Sequence, residues 1–187
     1  MELNFAAVTP ERWSDLESLF GSRGACGGCW CMSWRHPTRA AFEAAQGQEN
    51  HDLFQAVVAS GEVPGLLAYA EGKPVGWCAV APRSAYPRLE KMRVLKGTDG
   101  AGVWAISCLF VAKGHRRMGI SRALIRAAVE HARTCGARVV EAYPTEPKQE
   151  LPGPFLFTGL ASAFRQEGFT EVARRGETRL VMRLNIV

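Results

Sequence analysis

The run Leu109–Ser121 (Leu-Phe-Val-Ala-Lys-Gly-His-Arg-Arg-Met-Gly-Ile-Ser) and its flanks constrain this chain more than any other stretch. Val103 to Val111 is apolar without polar alternation, as expected of a strand covered on both faces. Met118 to Cys135 has helical period: Ile120, Leu124, Ala127 and Ala128 face inward, Arg122, Arg126, Glu130 and Arg133 face water, and Gly136 ends the helix. Ala137 to Tyr143 reads as a strand again. Strand, helix and strand in that order predict a right-handed crossover between parallel strands. The loop inside the crossover brings backbone N–H groups to a helix N-terminus, which is a way of holding phosphate.

Around this unit the chain reads as antiparallel structure. Residues 2–8 suggest an edge strand, and Thr9-Pro10-Glu11 opens a helix whose inner face is Trp13, Leu16 and Phe20. Pro37 and Thr38 open a second helical region, broken at Gly47, restarted at Asn50 and stopped at Gly61. Leu66–Ala70 and Val75–Ala81 predict a hairpin bent at Gly72. Residues 82–102 read as irregular and 144–154 as a proline-rich loop. A short helix is expected over 155–167, then strands near 170–175 and 178–186. The expectation is an α/β (α+β) fold in one domain over residues 1–187. It has a mixed, mostly antiparallel sheet of six or seven strands, one parallel crossover, and about four flanking helices.

A length of 187 residues suits one domain better than two. No stretch has the apolar length to cross a bilayer, and the first residues do not read as a secretory signal, so a cytoplasmic protein without membrane partners is expected. The net charge of +5 suits an anionic ligand. It comes without a zinc-finger, ribonucleoprotein or helix-turn-helix pattern, so nucleic acid is not expected as a partner. The apolar stretch Val181–Val187 leaves room for a homodimer.

The loop itself reads Arg116-Arg117-Met118-Gly119-Ile120-Ser121. It lacks the Gly-Lys-Ser/Thr of a nucleotide P-loop and the three spaced glycines of a dinucleotide site. The pattern Arg-x-x-Gly-x-Ser between a buried strand and an amphipathic helix resembles the acyl-CoA motif of the GNAT superfamily of N-acetyltransferases, usually Arg/Gln-x-x-Gly-x-Gly/Ala. The order of elements is similar from about residue 3 to residue 184, including Gly168-Phe169 after a short helix.

The resemblance implies acetyl-CoA as cosubstrate. Backbone amides of Arg116, Arg117, Met118, Gly119, Ile120 and Ser121 would bind its pyrophosphate. The strand edge at Leu109, Phe110 and Val111 would bond the pantetheine arm. Gly119 allows close approach, and Arg116, Arg117 and Arg122 can add charge-assisted bonds. Two departures stand out. Ser121 replaces the usual Gly or Ala, and Phe164 occupies the place where many family members carry a tyrosine as general acid.

The implied reaction moves an acetyl group to a primary amine of a small molecule, peptide or protein by direct attack in a ternary complex. It needs a base in reach of the ammonium and a donor to polarise the acyl carbonyl. Glu141 and Tyr143 share a strand face, so Glu141 is the candidate base and Tyr143 the candidate acid or substrate contact; the plainer reading is an ion pair and a packed aromatic. Trp30, Cys31, Trp34 and Arg35 are candidates for an acceptor wall, or simply core. Cys26, Cys29, Cys31 and His36 have partial zinc spacing, but the downstream Cys/His pair is missing, so no metal is expected. Two other functions stay open: an acyl-CoA sensor without turnover, for which Phe164 speaks, and a thiol or zinc protein built on Cys26–His36.

Overall fold

The computed structural model describes residues 2–92, 102–149 and 153–186. Seven strands form one sheet: β1 (Asn4–Ala7), β2 (Gly65–Ala70), β3 (Lys73–Pro82), β4 (Val103–Val111), β5 (Val139–Ala142), β6 (Thr170–Arg175) and β7 (Arg179–Asn185), in the order β1-β2-β3-β4-β5-β7-β6. Only β4 and β5 pair in parallel, from Val103 opposite Val139 to Ile106 opposite Ala142. The helices are α1 (Trp13–Phe20), α2 (Arg39–Ala44), α3 (Gln48–Ala59), α4 (Pro87–Glu90), α5 (Ile120–Thr134) and α6 (Ala161–Gln166). The mixed sheet with one crossover is the expected one, with more helices than expected.

The two faces of the sheet have separate cores. On one, α5 buries Ile120, Leu124, Ile125, Ala128, Val129 and Ala132. Each large aliphatic side chain there contributes about 1.5–3 kcal/mol of apolar burial. Gly76 on β3 lets the helix come close, since a Cβ would stand 2.9 Å from Leu124 Cδ1. On the other face, α1 and α3 bury Trp13, Leu16, Phe20, Phe54 and Val58 over Leu67, Trp77 and Cys108. A third cluster, Ala81, Tyr86, Leu89, Ala105, Tyr143 and Val181, is flanked by Trp34.

Three expectations change. Residues 155–167 are not one helix: a 3-10 turn covers Gly153–Leu156, and α6 begins only at Ala161. Between them the chain runs beside Thr145, whose N–H donates to Gly159 O and whose C=O accepts from Ala161 N–H. Residues 82–102, expected to be irregular, contain a 3-10 turn and α4, with positions 93–101 outside the described residues. Finally, Leu180, Val181, Met182 and Ile186, in the stretch that left room for a homodimer, are buried within the chain. Among the described residues no helix is long and apolar enough to cross a membrane.

Candidate active site

β4 is the axis of the site. In its pairing with β3, Ala79 faces Cys108 and Val80 faces Ile106, so Ser107 is an extra, bulged residue. Pairing with β5 stops at Ile106, leaving the rest of that β4 edge to part from the sheet. A cleft of about 340 Å³ lies along it, lined by Leu109, Phe110, Val111, Arg116 and Ser121 on one side and by Leu156, Phe157, Gly159, Leu160 and Ala163 on the other. Ala25 and Cys26 close its mouth.

The loop at the end of β4 is wound by two left-handed residues, Arg117 (φ 63°) and Gly119 (φ 80°). Gly119 caps α5 without a side-chain hydrogen bond, and a Cβ there would point into open space. The N–H groups of Arg116 through Ser121 have no acceptor among the described residues. At a helix N-terminus such groups point outward and carry partial positive charge. Met118, Arg116 and Arg117 are exposed around them, but Arg122 is turned away into an ion pair with Glu167 at 2.8 Å.

The β4 edge is partly occupied by the chain's own groups. Leu109 N–H donates to Phe157 O at 2.6 Å, and Val111 O accepts from Arg116 Nε at 3.1 Å. Ala112 N–H donates to Val75 O on the β3 side. Alternate residues of a strand turn to opposite neighbours, so Leu109 and Val111 open to the cleft while the backbone of Phe110 faces β3. Phe110 therefore enters the site through its ring, which packs edge-on to Phe20, and not through the main-chain bonds expected of it.

Glu141 and Tyr143 are indeed neighbours: the Tyr143 hydroxyl donates to Glu141. Glu141 is fully buried, 2.6 Å from Arg183 Nη2 and 3.5 Å from Arg83 Nη1. Its oxygens are engaged by two guanidiniums and a phenol hydroxyl and are closed off from solvent, so no acceptor amine can reach them, which counts against Glu141 as base. Burial, with the Glu141 charge, pushes the Tyr143 hydroxyl well above its ordinary value. Its proton is already committed to Glu141, which counts against it as acid. The ring of Tyr143, however, is available to a second pocket. Phe164 is fully buried, with its ring edge-to-face on Phe169 at 5.2 Å, and plays the part of a core residue.

The second pocket, about 670 Å³, has an aromatic floor of Trp34, Phe42, Tyr143, Phe155 and Phe157. Phe157 also lines the first cleft, so this residue borders both spaces. Of the expected acceptor wall only Trp34 reaches this pocket. Trp30 packs on Phe20 and His51. Cys31 is buried with its Sγ 4.0 Å from Cys108 Sγ. Arg35 pairs with Glu62 at 2.6 Å and lies over the Tyr86 ring. The reason is local: residues 24–31 form a tight coil in which Ala25, Trp30 and Cys31 all have positive φ, and a Cβ on Gly28 would stand 2.4 Å from Gly47 N. That coil turns Trp30 and Cys31 inward. The suggested zinc ligands diverge as well: Cys26 is exposed, and His36 Nε2 is 2.6 Å from Asn50 Oδ1. Among the described residues, no group of three or more His, Cys, Asp or Glu side chains is placed to hold a metal ion.

The family model of the acetyltransferase (GNAT) family matches residues 30–151. The chain belongs to this family. Solved structures agree in fold. A protein described as an acetyltransferase of the GNAT family from Desulfovibrio desulfuricans is 16% identical, with 98% of this chain and 99% of that one covered (TM-score 0.58). The PaiA N-acetyltransferase of Thermoplasma acidophilum, in complex with coenzyme A, is 13% identical, with 100% of both chains covered (TM-score 0.56). A GNAT family acetyltransferase of Brucella melitensis, in complex with acetyl-CoA, is 15% identical, with 100% of this chain and 89% of that one covered (TM-score 0.53). Among curated proteins nothing matches the sequence.

Acetyl-CoA is the cosubstrate of a GNAT acetyltransferase, and this chain's residues fit it. Six consecutive open N–H groups suit a pyrophosphate, the empty position beside Gly119 lets it approach, and the apolar cleft along β4 suits a pantetheine arm. Sequence reasoning missed Phe157, Arg88, Arg175 and Arg179. Only the arginine-rich hairpin Arg174-Arg175-Gly-Glu-Thr-Arg179 offered a signal, and nothing in the sequence tied it to Trp34.

Proposed function

We propose that residues 1–187 form one GNAT domain that transfers an acetyl group to the primary amine of a small molecule in the Trp34 pocket, by direct attack in a ternary complex. Acetyl-CoA supplies an activated thioester. The N–H groups of Arg116–Ser121 hold its phosphates, with Arg116 and Arg117 adding charge, and Leu109, Phe110 and Val111 flank its arm. Leu109 N–H, once released by Phe157 O, is the backbone donor that the β4 edge offers to an acyl carbonyl. Trp34 and Tyr143 hold the body of the amine. The proton leaves toward the open side of the pocket, where Glu43 is the lining carboxylate among the described residues.

The observation that carries this reading is that Phe157 borders both spaces, which sets the cofactor cleft and the acceptor pocket side by side. Buried thiols support it from the other side. Burial pushes Cys29 up to about 12 and drives Cys31 and Cys78 well above their ordinary range, so none is a ready nucleophile. Cys26, exposed at the mouth of the first cleft, is the specific feature behind a second reading, a covalent acyl-thiol route. Initial-velocity kinetics of CoA thiol release decide between them. Lines that intersect in double-reciprocal plots support direct attack, and parallel lines overturn it. Binding of CoA without thiol release across a broad amine panel leaves the sensor reading in its place.

A further inference from the structure

The Trp34 pocket carries more positive charge than its own structure uses. Arg39, Arg88, Arg175 and Arg179 line it, against one lining acid among the described residues, Glu43, which Arg39 already engages at 2.6 Å. Arg88 lies over the Trp34 ring at 4.9 Å from its centroid and donates to the carbonyl of Ser33. Arg179 donates to the hydroxyls of Thr145 and Thr158 at 2.6 and 3.0 Å, both threonines being buried. Arg175 stands opposite Arg179 in the β6–β7 register. Among the described residues no carboxylate forms an ion pair with Arg88, Arg175 or Arg179.

Gathering like charges over an aromatic floor is costly unless an anion completes the set. Burial, and then the Arg39 charge, lowers Arg88 from its ordinary value, with Glu43 offsetting part of this. Burial and the Arg175 charge do the same to Arg179. The guanidinium fork is the donor best matched to a carboxylate or phosphate. An electropositive wall would also repel a simple cationic amine, which is how a pocket rejects the wrong acceptor.

We infer that the acceptor is an amine with a flat apolar body and an anionic group, carboxylate or phosphate-like, which Arg88, Arg175 and Arg179 clasp while the body lies on Trp34 and Tyr143. This inference rests on the acetyl-transfer reading, but its recognition chemistry can be measured without turnover.

Three amines test it: phenylalanine, its aminophosphonate analogue and phenethylamine, with N-acetylphenylalanine and N-acetylphenethylamine as products. Thiol release from acetyl-CoA should give kcat/KM about 30-fold higher for the better anionic amine than for phenethylamine, the size expected of charge-assisted hydrogen bonds. Whether carboxylate or phosphonate leads identifies the anion. In parallel, titration of the CoA-loaded protein should show N-acetylphenylalanine binding at least about tenfold tighter than N-acetylphenethylamine. In Arg88→Met and Arg175→Met the anionic-to-neutral ratio should fall toward one. Equal or better use of phenethylamine by the unaltered protein overturns the inference, as does a ratio that both variants preserve, or failure of every probe to bind. If no amine is acetylated yet the products still separate by their anion, acetyl transfer falls and the anion pocket stands.

Discussion

The cleft beside the Arg116–Ser121 loop and the Trp34 pocket share Phe157 in their linings, but they are made of different material. The loop works through main-chain N–H groups that stay open because a helix starts there. The pocket works through side chains from the loop at Ser33–Trp34, α2, α4, the end of β5, the 155–160 segment and the β6–β7 hairpin. The first needs only a small residue and a left-handed turn in the right order along the chain. The second needs six separate segments to arrive in one place. A main-chain site therefore persists across members of a family that share little sequence, whereas a side-chain site can be refitted to a new acceptor without disturbing the first.

Four experiments would break or sharpen this contrast, starting with the largest effect. Glu141→Gln removes the buried carboxylate between Arg83 and Arg183, and breaking such a pair costs about 3–5 kcal/mol. Urea unfolding should show that loss. A variant of unchanged stability whose pH–rate profile has lost a limb would return Glu141 to the role of base.

Gly119→Val puts a β-branched residue at φ 80° and fills the space beside the open N–H groups. The strain of about 1–3 kcal/mol and the blocked approach should weaken CoA binding by about a hundredfold. Calorimetric titration checks this, and undiminished affinity would mean that the loop is not the phosphate site.

Phe157→Ala tests whether the two spaces are one site. Losing apolar contact on both sides should raise KM about tenfold for acetyl-CoA and for the amine alike. A change in only one KM would separate the cleft from the pocket. Cys26→Ser should leave the steady-state rate within about twofold, because direct attack uses no thiol. A rate that collapses would establish the covalent route.

A control away from both regions comes from pH. His51 Nε2 faces Glu17 Oε1 at 2.7 Å and its Nδ1 faces Asp52 Oδ1 at 2.8 Å, so the protonated ring donates to both carboxylates. Burial alone would lower its pKa, but the two carboxylates outweigh that and raise it. A raised folded-state pKa stabilises below the unfolded value near 6.5, and the benefit disappears as pH rises through the folded value. The cost of His51→Gln in chemical denaturation should therefore be larger at pH 5.5 than at pH 9 by somewhat under about 1 kcal/mol, the small size reflecting solvent screening, while the loss of ring contact with Trp13 and Trp30 is the same at both. CoA binding should not change.

Much of the fold was legible because it is periodic. The apolar run Val103–Val111 is β4 residue for residue, and the amphipathic stretch after Gly119 is α5. The failures came where contacts between distant segments decide. Residues 155–160 carry Phe155, Leu156, Phe157 and Leu160, a pattern that suits a helix turn, yet the gap beside β4 draws them out to pair with Thr145 and Leu109. Trp30 and Trp34, four apart, look like one helical face. In the structure the coil at Gly24–Cys31 sends Trp30 into the α1–α3 core and Trp34 to the pocket. Glu141 read as a base because charge on a central strand is rare. Its arginines, Arg83 on one side in sequence and Arg183 on the other, become visible only when the turn after β3 and strand β7 are brought to β5 by the folded sheet.

The sequence by itself determined the crossover, the phosphate loop and with them the family and the cosubstrate, because those depend on residues adjacent along one stretch of chain. Only the tertiary structure decided that Leu109 and Val111, not Phe110, present their backbone to the cleft, and that Trp34 alone of the suggested wall lines the second pocket. It also assembled the arginines of the pocket, since charge density at a point is a property of where side chains converge in space and not of their order in the chain.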